Sequence, residues 1–403
     1  MKAEYCLAQQ NLCSRANSLT NAWLNLLPMR IVVCPDKFAG TLSASEAASA
    51  IAQGWQDFAP ETQVTLIPIS DGGFGFLDSI SCALSLKTEP VVVRGMLGQV
   101  IPVEYAFDQQ TAYIEVAQPI GLHLIQSSSQ TAQVVSSYGV GELIKAAIEK
   151  GITKIVIGLG GTATSDGGAG ALAALGAIAF DSQGIEIDAL EKGTIELLNI
   201  SRIDLSRVED LLSNITIEVL TDVENPFLGA RGAAKVFSLQ KGATEKQIQE
   251  IEDSLTHFAQ LIGKRKDGKN PAVALGAGAA GGLGFALIRI GAVRSAGIER
   301  IISILGLKKA IEQADLVITG EGKFDWQSLD GKAVTGISRT AMSLGKATVV
   351  MAGQVEIGRR DWQTIGVSGA FSMADFSSLA ESFEDPSGTL KRLSARVART
   401  WNR

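Results

Sequence analysis

The sequence predicts an α/β protein in which both ends of the chain build one doubly wound parallel-sheet domain and a mixed α/β domain is inserted between them. Strand–loop–helix patterns recur near both ends, whereas the middle of the chain carries short alternating runs typical of antiparallel strands. The length of 403 residues exceeds the roughly 100–200 residues of a single domain. Apolar residues make up 46% and charged residues 19%, which allows a large core and excludes disorder throughout.

The amino-terminal part of the predicted sheet domain begins with the β-branched run that follows Met29. A capping-box pattern, Ser43 with Glu46 three residues later, opens a helix that we expect to extend to about Phe58. A second strand is predicted over 64–70. These elements form the first strand–helix–strand unit of the chain.

The carboxyl-terminal part repeats the same pattern. Strands are predicted in DLVITGEG and ATVVMAG, a helix after Gly331, and a last short strand around 365–371. The stretch 388–402 places leucines and a valine on one face and basic residues on the other, which is typical of an amphipathic closing helix.

The middle of the chain is more mixed. Short alternating runs over 89–125 predict antiparallel strands, and a helix is expected from about Gly139 to Lys150. The buried strand KIVIGLGG, the small-residue helix GGAGALAALG, the strand ITIEVLTDV, a helix near 244–262 and the glycine-rich 276–284 follow. We therefore expect an N-terminal extension without fixed structure at 1–28, a sheet domain at 29–86 plus 287–403, and an inserted domain at 87–286. Translation from Met29 rather than Met1 is an open alternative.

Composition excludes several classes of function. The 36 basic and 42 acidic side chains give a net charge of −6, so nucleic acid is not an expected partner. Two histidines and four cysteines without a CxxC pair poorly supply a histidine metal site or a nucleophile–histidine relay. The first 28 residues lack the apolar core of a signal peptide, and no membrane span is expected. The sequence thus predicts a cytoplasmic protein, and sparse cysteines fit a reducing compartment.

Acidic residues follow five predicted strands, each beside glycine or small residues. They are Asp36, Asp71, Asp166, Asp222 and Glu321. Any one of them is equally explained as a helix N-cap. Their recurrence at strand ends instead favours a shared acidic rim that holds a divalent cation through one or two carboxylates.

Two glycine-rich segments supply the complementary chemistry. GLGGTATSDGG over 158–168 follows a strand and precedes a helix, so its backbone N–H groups are suited to bind an anion. GAGAAGGLG over 276–284 is open to the same interpretation or to close helix packing. Neither is a Walker A loop, and no acid follows at the spacing of a dinucleotide fold. Acids, glycine loops and nearby bases fit phosphoryl transfer better than hydride transfer or hydrolysis.

Seven ordered blocks from about Met29 to the end resemble the bacterial glycerate kinase family of type I. They are PDKFAGTLSA, ISDGG, YGVGELI, GLGGTATSDGGAGALAALG, DVENPFLGARGAAKVFSLQKGAT, GAGAAGGLG and DLVITGEGKFDWQSLDGKA. The resemblance implies a flavodoxin-like sheet domain and Mg²⁺-dependent transfer of the γ-phosphoryl group of ATP to D-glycerate. It implies 2-phosphoglycerate as the common product, with 3-phosphoglycerate left open. The expected partners are ATP and a small acid, and no membrane partner is expected. Whether the protein forms a homodimer is left open.

On this resemblance we assign hypothetical roles to individual residues. Asp166 is the first choice for the general base and Asp71 the second, because a carboxylate should accept the proton of the glycerate hydroxyl. Asp222 and Glu321 are the expected metal ligands. The expected substrate- and phosphate-binding residues are Lys37, Gly160, Gly161, Thr162, Arg231, Gly278, Gly281, Gly282 and Lys332.

One loop departs from the family pattern. The family has DGGEGT where this chain has DGGFGF, so Phe74 and Phe76 replace a glutamate and a threonine. Two alternatives stay open, and this departure motivates the second of them. The protein phosphorylates another small hydroxy acid or sugar acid, or it is a catalytically impaired relative that only binds ligand.

Overall fold

The computed structural model describes residues 28–70, 72–329 and 333–402, and the fold is mixed α/β with parallel sheets. Its strands are β1 (Arg30–Val33), β2 (Gln63–Leu66), β3 (Lys87–Arg94), β4 (Val100–Phe107), β5 (Thr111–Glu115), β6 (Lys154–Gly158), β7 (Ile178–Phe180), β8 (Glu186–Ile187), β9 (Arg202–Asp204), β10 (Thr216–Leu220), β11 (Val293–Ser295), β12 (Leu316–Phe324), β13 (Ala347–Val355) and β14 (Val367–Ser372).

The α-helices within these residues are α1 (Ala44–Phe58), α2 (Phe76–Leu84), α3 (Ala117–Ile120), α4 (Tyr138–Glu149), α5 (Ala169–Ala174), α6 (Ser206–Leu211), α7 (Ala233–Phe237), α8 (Glu245–Ile262), α9 (Leu283–Arg289), α10 (Gly297–Ile304), α11 (Leu307–Gln313), α12 (Ala333–Ser343), α13 (Arg359–Gln363), α14 (Met373–Phe376), α15 (Leu379–Glu384) and α16 (Pro386–Trp401). Short 3₁₀ turns occupy Leu122–Leu124, Ala189–Glu191, Thr194–Asn199, Leu239–Lys241, Pro271–Val273, Ala279–Gly282 and Trp326–Leu329.

The chain divides into two compact units, each discontinuous in sequence. The described residues of the first unit are 28–68, Leu307–Leu329 and 337–402, and those of the second are 69–70, 72–306 and 333–336. The domain boundaries expected from the sequence, near 86 and 287, differ from these limits. That the chain folds as two independent domains with those boundaries stays a proposal. The predicted N-terminal extension over 1–28 lies outside the described residues except for Pro28.

The first unit is organised around a five-stranded sheet. Its strand order is β14-β13-β12-β1-β2, and every neighbouring pair is parallel. Strand β1 lies between β12 and β2, with Ile31 opposite both Leu316 and Val64. The β-branched run after Met29 forms this inner strand because its side chains can be buried on both faces of a parallel sheet.

Helix α1 confirms the local prediction made from its capping box. The Ser43 hydroxyl accepts from the backbone N–H of Glu46, and the Glu46 carboxylate accepts from the backbone N–H of Ser43. The helix runs from Ala44 to Phe58 and packs along the closing helix α16. Gly54 allows this approach, because a Cβ at that position would lie 2.0 Å from the carbonyl oxygen of Lys391. The two terminal parts of the unit are therefore joined by a close helix–helix contact.

The second unit contains a six-stranded sheet with the order β11-β10-β6-β5-β4-β3. The antiparallel strands predicted over 89–125 are confirmed, since β3 pairs with β4 and β4 with β5 in antiparallel fashion. The remaining neighbours are parallel, and Gly158 at the end of β6 lies opposite Leu220 at the end of β10. The carboxyl ends of these two strands therefore lie side by side at one edge of the sheet.

A small third sheet, β8-β7-β9, was not expected from the sequence. Its strands are two or three residues long, which is too short for an alternating pattern to appear. Across the described part of the chain, no helix has both the length and the apolar character required to cross a membrane.

The close packing of α1 on α16 gives a first prediction. Alanine stabilises a helix interior by about 1 kcal/mol relative to glycine. In Gly54→Ala, however, the new methyl group meets the Lys391 carbonyl, so we expect the free energy of unfolding to fall by about 1–3 kcal/mol. Urea denaturation followed by circular dichroism measures this change.

The neighbouring exposed position supplies the control. Gln53→Ala adds no contact to α16, and we expect its unfolding free energy to stay within about 0.5 kcal/mol of the wild type. A Gly54→Ala variant as stable as the Gln53→Ala variant would contradict the close approach of the two helices.

Candidate active site

A cavity of about 350 Å³ lies in the second unit, at the carboxyl ends of β6 and β10. Open parallel sheets bind ligands at this end of their strands. The described residues that line the cavity are Leu122, Leu159, Gly160, Gly161, Thr162, Thr221, Asp222, Val223, Phe237, Gln240, Lys241, Ala280 and Gly281. Five residues predicted from the sequence are thus brought together: Gly160, Gly161, Thr162, Asp222 and Gly281.

The loop that follows β6 forms one wall of the cavity. Gly161 has a φ of +66°, a conformation that side-chain-bearing residues rarely adopt. Its carbonyl accepts from the backbone N–H of Leu122 at 2.8 Å, and the N–H of Ala163 donates to the Ile120 carbonyl at 2.8 Å. These two bonds hold the loop against the preceding segment, so its peptide groups line the cavity in a defined conformation.

The second glycine segment packs directly on the first. Gly281 has a φ of +65°, and a Cβ there would lie 1.8 Å from the carbonyl oxygen of Thr164. The N–H of Gly167 donates to the Gly281 carbonyl at 3.1 Å. Gly278 and Gly282 do not line the cavity, and their Cβ atoms would meet a carbonyl oxygen and an aromatic ring. Close packing accounts for those two glycines, whereas Gly281 also contributes to the cavity.

Asp222 lies on the cavity wall, two residues after β10 ends. One carboxylate oxygen accepts from the backbone N–H of Ile298 in helix α10 at 3.4 Å. The preceding residue, Thr221, accepts from the N–H of Val223 through its hydroxyl at 3.2 Å. The end of β10 therefore forms a tight turn that places one carboxylate beside the glycine loop.

Asp166 is inside the protein and does not line the cavity; none of its surface is exposed. One carboxylate oxygen accepts from the N–H and the hydroxyl of Ser137 at 2.8 and 2.7 Å, and from the N–H of Gly170 at 3.2 Å. The other oxygen accepts from the N–H of Gly168 at 3.1 Å. The catalytic role assigned to Asp166 stays a prediction, and four donors around a buried carboxylate favour a positioning role instead.

Lys241 is a cavity residue that sequence reasoning did not select. Its side chain is buried, with 4% of the residue exposed, and Nζ donates to the carbonyl oxygen of Thr164 at 2.6 Å. Burial lowers the pKa of the Lys241 ammonium to about 8, while the negative charge of Asp166 acts in the opposite direction. A single lysine after a helix is most often on the surface, so its local pattern did not mark it. The one available signal was its place in the block DVENPFLGARGAAKVFSLQKGAT.

The loop that carries the two unusual phenylalanines lies beside the glycine loop. Phe76 is fully buried at the start of α2, and its ring would lie 3.0 Å from a Cβ on Gly158. Phe74 is 47% exposed, and its ring centroid is 4.4 Å from that of His123. The buried carboxylate of Glu115 accepts from the N–H groups of Gly75 and Leu77 at 3.1 and 3.0 Å. Phe76 is therefore a core residue, and Phe74 is a surface residue near the cavity.

The structure describes three further residues of the predicted site, Lys37, Glu321 and Arg231. Lys37 and Glu321 belong to the first unit; the N–H of Lys37 donates to its neighbour Asp36 at 2.7 Å. Arg231 is exposed, does not line the cavity, and its carbonyl accepts from the side-chain amide of Asn225 at 2.8 Å. The predictions for Asp71 and Lys332 lie outside the described residues.

Comparison with known proteins agrees with the chemistry of this cavity. Residues 31–402 match the model of the glycerate kinase family. The chain is 36% identical over 379 residues to the glycerate kinase of Halalkalibacterium halodurans, covering 93% of this chain and 99% of that protein. It is 38% identical over 378 residues to the glycerate 2-kinase of Escherichia coli K12, covering 92% and 98%.

A solved structure shows the same relationship in three dimensions. A crystal structure from Salmonella typhimurium LT2, whose protein is provisionally named glycerate kinase 2, superposes with a TM-score of 0.78 at 35% identity. The superposition covers 93% of this chain and 98% of that one. The match extends over nearly the whole length of both proteins in sequence and in structure. The chain therefore belongs to the glycerate kinase family, and the protein is a kinase.

Proposed function

We propose that this enzyme transfers the γ-phosphoryl group of ATP to the 2-hydroxyl of D-glycerate and releases 2-phosphoglycerate. The observation that carries the proposal is the cavity, where the backbone of Gly160 and Gly161 and the side chains of Asp222 and Lys241 line one small space. Its volume of about 350 Å³ is at the lower end of the range of small-molecule sites. The name of the E. coli relative, glycerate 2-kinase, supports the position of phosphorylation.

In this proposal the loop that follows β6 binds phosphate. Backbone N–H groups in a glycine-rich loop at the end of a strand can approach phosphate oxygens closely, since no side chain intervenes. The proposed phosphate-binding residues are Gly160, Gly161, Thr162 and Gly281, which line the cavity. Phosphate- or substrate-binding roles for Lys37, Arg231, Gly278, Gly282 and Lys332 also stay proposals.

Asp222 is the proposed protein ligand of Mg²⁺. Among the described residues, no group of three or more histidine, cysteine, aspartate or glutamate side chains is placed to hold a metal ion. Mg²⁺ in kinases is commonly held by one or two carboxylates together with substrate phosphates and water. A single carboxylate on the wall of a phosphate-binding cavity fits that pattern. The ion, when bound, would neutralise charge on the phosphate oxygens, and Glu321 stays a second proposed ligand.

The general base is proposed to be Asp71, and Asp166 is proposed to be a positioning residue. The Asp166 carboxylate already accepts four hydrogen bonds, so both of its oxygens are occupied by donors of the protein. It also has no surface on the cavity. These observations support a role in which Asp166 fixes the starts of α4 and α5 behind the glycine loop.

Two structural details are part of the same proposal. Counted within the first unit, the strand order is 2-1-3-4-5, the order of flavodoxin-like doubly wound sheets, and this supports that fold for the unit. A homodimer stays a proposal as well. The impaired-relative alternative is not favoured, because the buried position of Phe76 is explained by packing and Phe74 lies outside the cavity lining.

The reaction is tested by coupled ADP release with D-glycerate, L-glycerate and a panel of sugar acids. We expect ATP consumption with D-glycerate and a phosphorus NMR signal of the 2-phosphate. A 3-phosphate product would overturn the position of transfer, and faster turnover of another acid would overturn the substrate. Glycerate binding without ADP release would identify a ligand-binding relative.

The metal assignment is tested by Asp222→Asn, which removes the negative charge from the cavity wall. We expect the Mg²⁺ concentration for half-maximal activity to rise about 10-fold or more, because a charge-assisted contact contributes roughly 1.5–3 kcal/mol. The matched control is Asp253→Asn on the exposed face of α8, which should leave the Mg²⁺ requirement unchanged. An unaltered requirement in Asp222→Asn would exclude Asp222 as a ligand.

The positioning role of Asp166 is tested by stability. In Asp166→Asn an amide NH₂ replaces an acceptor oxygen and faces N–H donors, so we expect the unfolding free energy to fall by about 2–4 kcal/mol. Asp181→Asn is the control, since Asp181 also accepts two backbone N–H groups but in an exposed turn, and should cost less than about 1 kcal/mol. A loss of turnover at unchanged stability would instead identify Asp166 as the base.

A further inference from the structure

The cavity contains a buried cation that makes one hydrogen bond to the protein. A lysine ammonium has three N–H donors. Within the described ranges, the Thr164 carbonyl is the one acceptor at hydrogen-bonding distance from Lys241 Nζ. This carbonyl oxygen would lie 1.8 Å from a Cβ on Gly281, so it adjoins a residue of the cavity wall. The ammonium group is therefore held next to the cavity with further donors available to a ligand.

The buried carboxylate of Asp166 acts electrostatically on this lysine. The oxygens of Asp166 accept from Ser137, Gly168 and Gly170, and among the described residues no ion pair joins Asp166 to Lys241. Asp166 nevertheless favours the charged form of the lysine through space. Burying a cation without a contacting anion is unfavourable. The arrangement is explained if an anionic ligand enters the cavity and becomes that contacting group.

The chemistry of lysine indicates which anion this is. A carboxylate is best matched by the planar fork of arginine, whereas a lysine ammonium acts as a point charge for phosphate oxygens. Lys241 shares its cavity with the Gly160–Gly161 loop, whose peptide groups suit the same ligand. Asp222, on the same wall, would repel an anion that arrived without a cation. A phosphoryl group accompanied by a metal ion suits the lysine, the peptide groups of the glycine loop and the carboxylate of Asp222 alike.

We propose that Lys241 binds the phosphoryl group during its transfer and stabilises its developing charge. This inference rests on the proposed function. In the transfer, the bond from the γ-phosphorus to the bridging oxygen of ATP breaks and its electron pair stays on ADP. The glycerate oxygen forms the new bond to phosphorus, and its proton passes to the general base. Lys241 gives up no proton in this step.

The central test is Lys241→Met compared with Lys235→Met in the full-length protein. Lys235 lies on α7, is exposed, and donates to Gln249 at 2.6 Å outside the cavity. We expect Lys241→Met to lower kcat by about 10²–10³-fold with the KM of glycerate changed less than about threefold, because removing one donor to a transition-state oxyanion has an effect of this size. Lys235→Met should behave as the wild type.

The alternatives give different results. A large rise in the KM of glycerate at unchanged kcat would show that Lys241 binds the substrate carboxylate, which overturns the proposal. A kcat within tenfold of the wild type would also overturn it. Melting temperatures provide the folding control; Lys241→Met should be at least as stable as the wild type at pH 7, because it removes a buried charge.

The charge itself is tested by the pH dependence of kcat/KM, which reports groups of the free enzyme. We expect the wild-type value to fall as pH rises through about 8, where Lys241 loses its proton. The acidic groups around Lys241 are Asp222, in the cavity lining, and the buried Asp166, which acts on the lysine through space. In Lys241→Arg the decline should move above pH 10, since arginine stays charged. An identical decline in Lys241→Arg would overturn the proposal.

A binding measurement separates this inference from the choice of substrate. The non-hydrolysable nucleotide AMP-PNP is titrated with Mg²⁺ into the wild type, Lys241→Met and Lys235→Met by calorimetry. We expect Lys241→Met to bind about 10-fold more weakly or worse, the effect of one charge-assisted hydrogen bond. If the wild type phosphorylates an acid other than glycerate, the glycerate assignment fails and this result still stands. Equal affinities in all three proteins would overturn the role of Lys241 and would leave the glycerate assignment unaffected.

Discussion

The buried carboxylate of Asp166 is the interaction on which the cavity depends. It accepts hydrogen bonds from the start of α4, through Ser137, and from the start of α5, through Gly168 and Gly170. Helix N-termini have unsatisfied N–H donors and a partial positive charge, so a buried anion is stabilised where two of them meet. The Ser137 hydroxyl also accepts from the N–H of Ala171, which joins the two helices further. The segment from 158 to 168 is therefore anchored at the end opposite β6.

Close backbone packing then gives the cavity its shape. Gly281 and the Thr164 carbonyl approach each other more closely than any side chain would permit. This contact brings the segment before α9 onto the loop after β6, and it leaves the Thr164 carbonyl beside Lys241. Interiors packed this tightly transmit small displacements. The two glycine segments and the lysine are therefore packed together, although Lys241 and Gly281 each lie more than 70 residues from Thr164 in the chain.

The electrostatics of the cavity follow from that packing. The cavity lining includes a buried ammonium, that of Lys241, whose charge is favoured by Asp166, and it also includes Asp222. Peptide groups of Gly160 and Gly161 complete the lining. Fixed charges in a site with little water are effective in phosphoryl transfer, because they need not reorganise when charge develops on the phosphate oxygens. In the proposed function, Lys241 and Asp222 supply these charges.

Sequence patterns were sufficient to predict most of the longer helices and strands and the family. The capping box at Ser43, the closing helix and the strands around 155 and 217 were predictable, because caps and hydrophobic periodicity act over a few neighbouring residues. Asp222 and the glycine loop were found for the same reason, since both directly follow a strand. The surroundings of Asp166 and Lys241 were decided by the tertiary structure. The donors around Asp166 include a serine 29 positions away, and the acceptor of Lys241 is 77 positions away, so no local pattern records them.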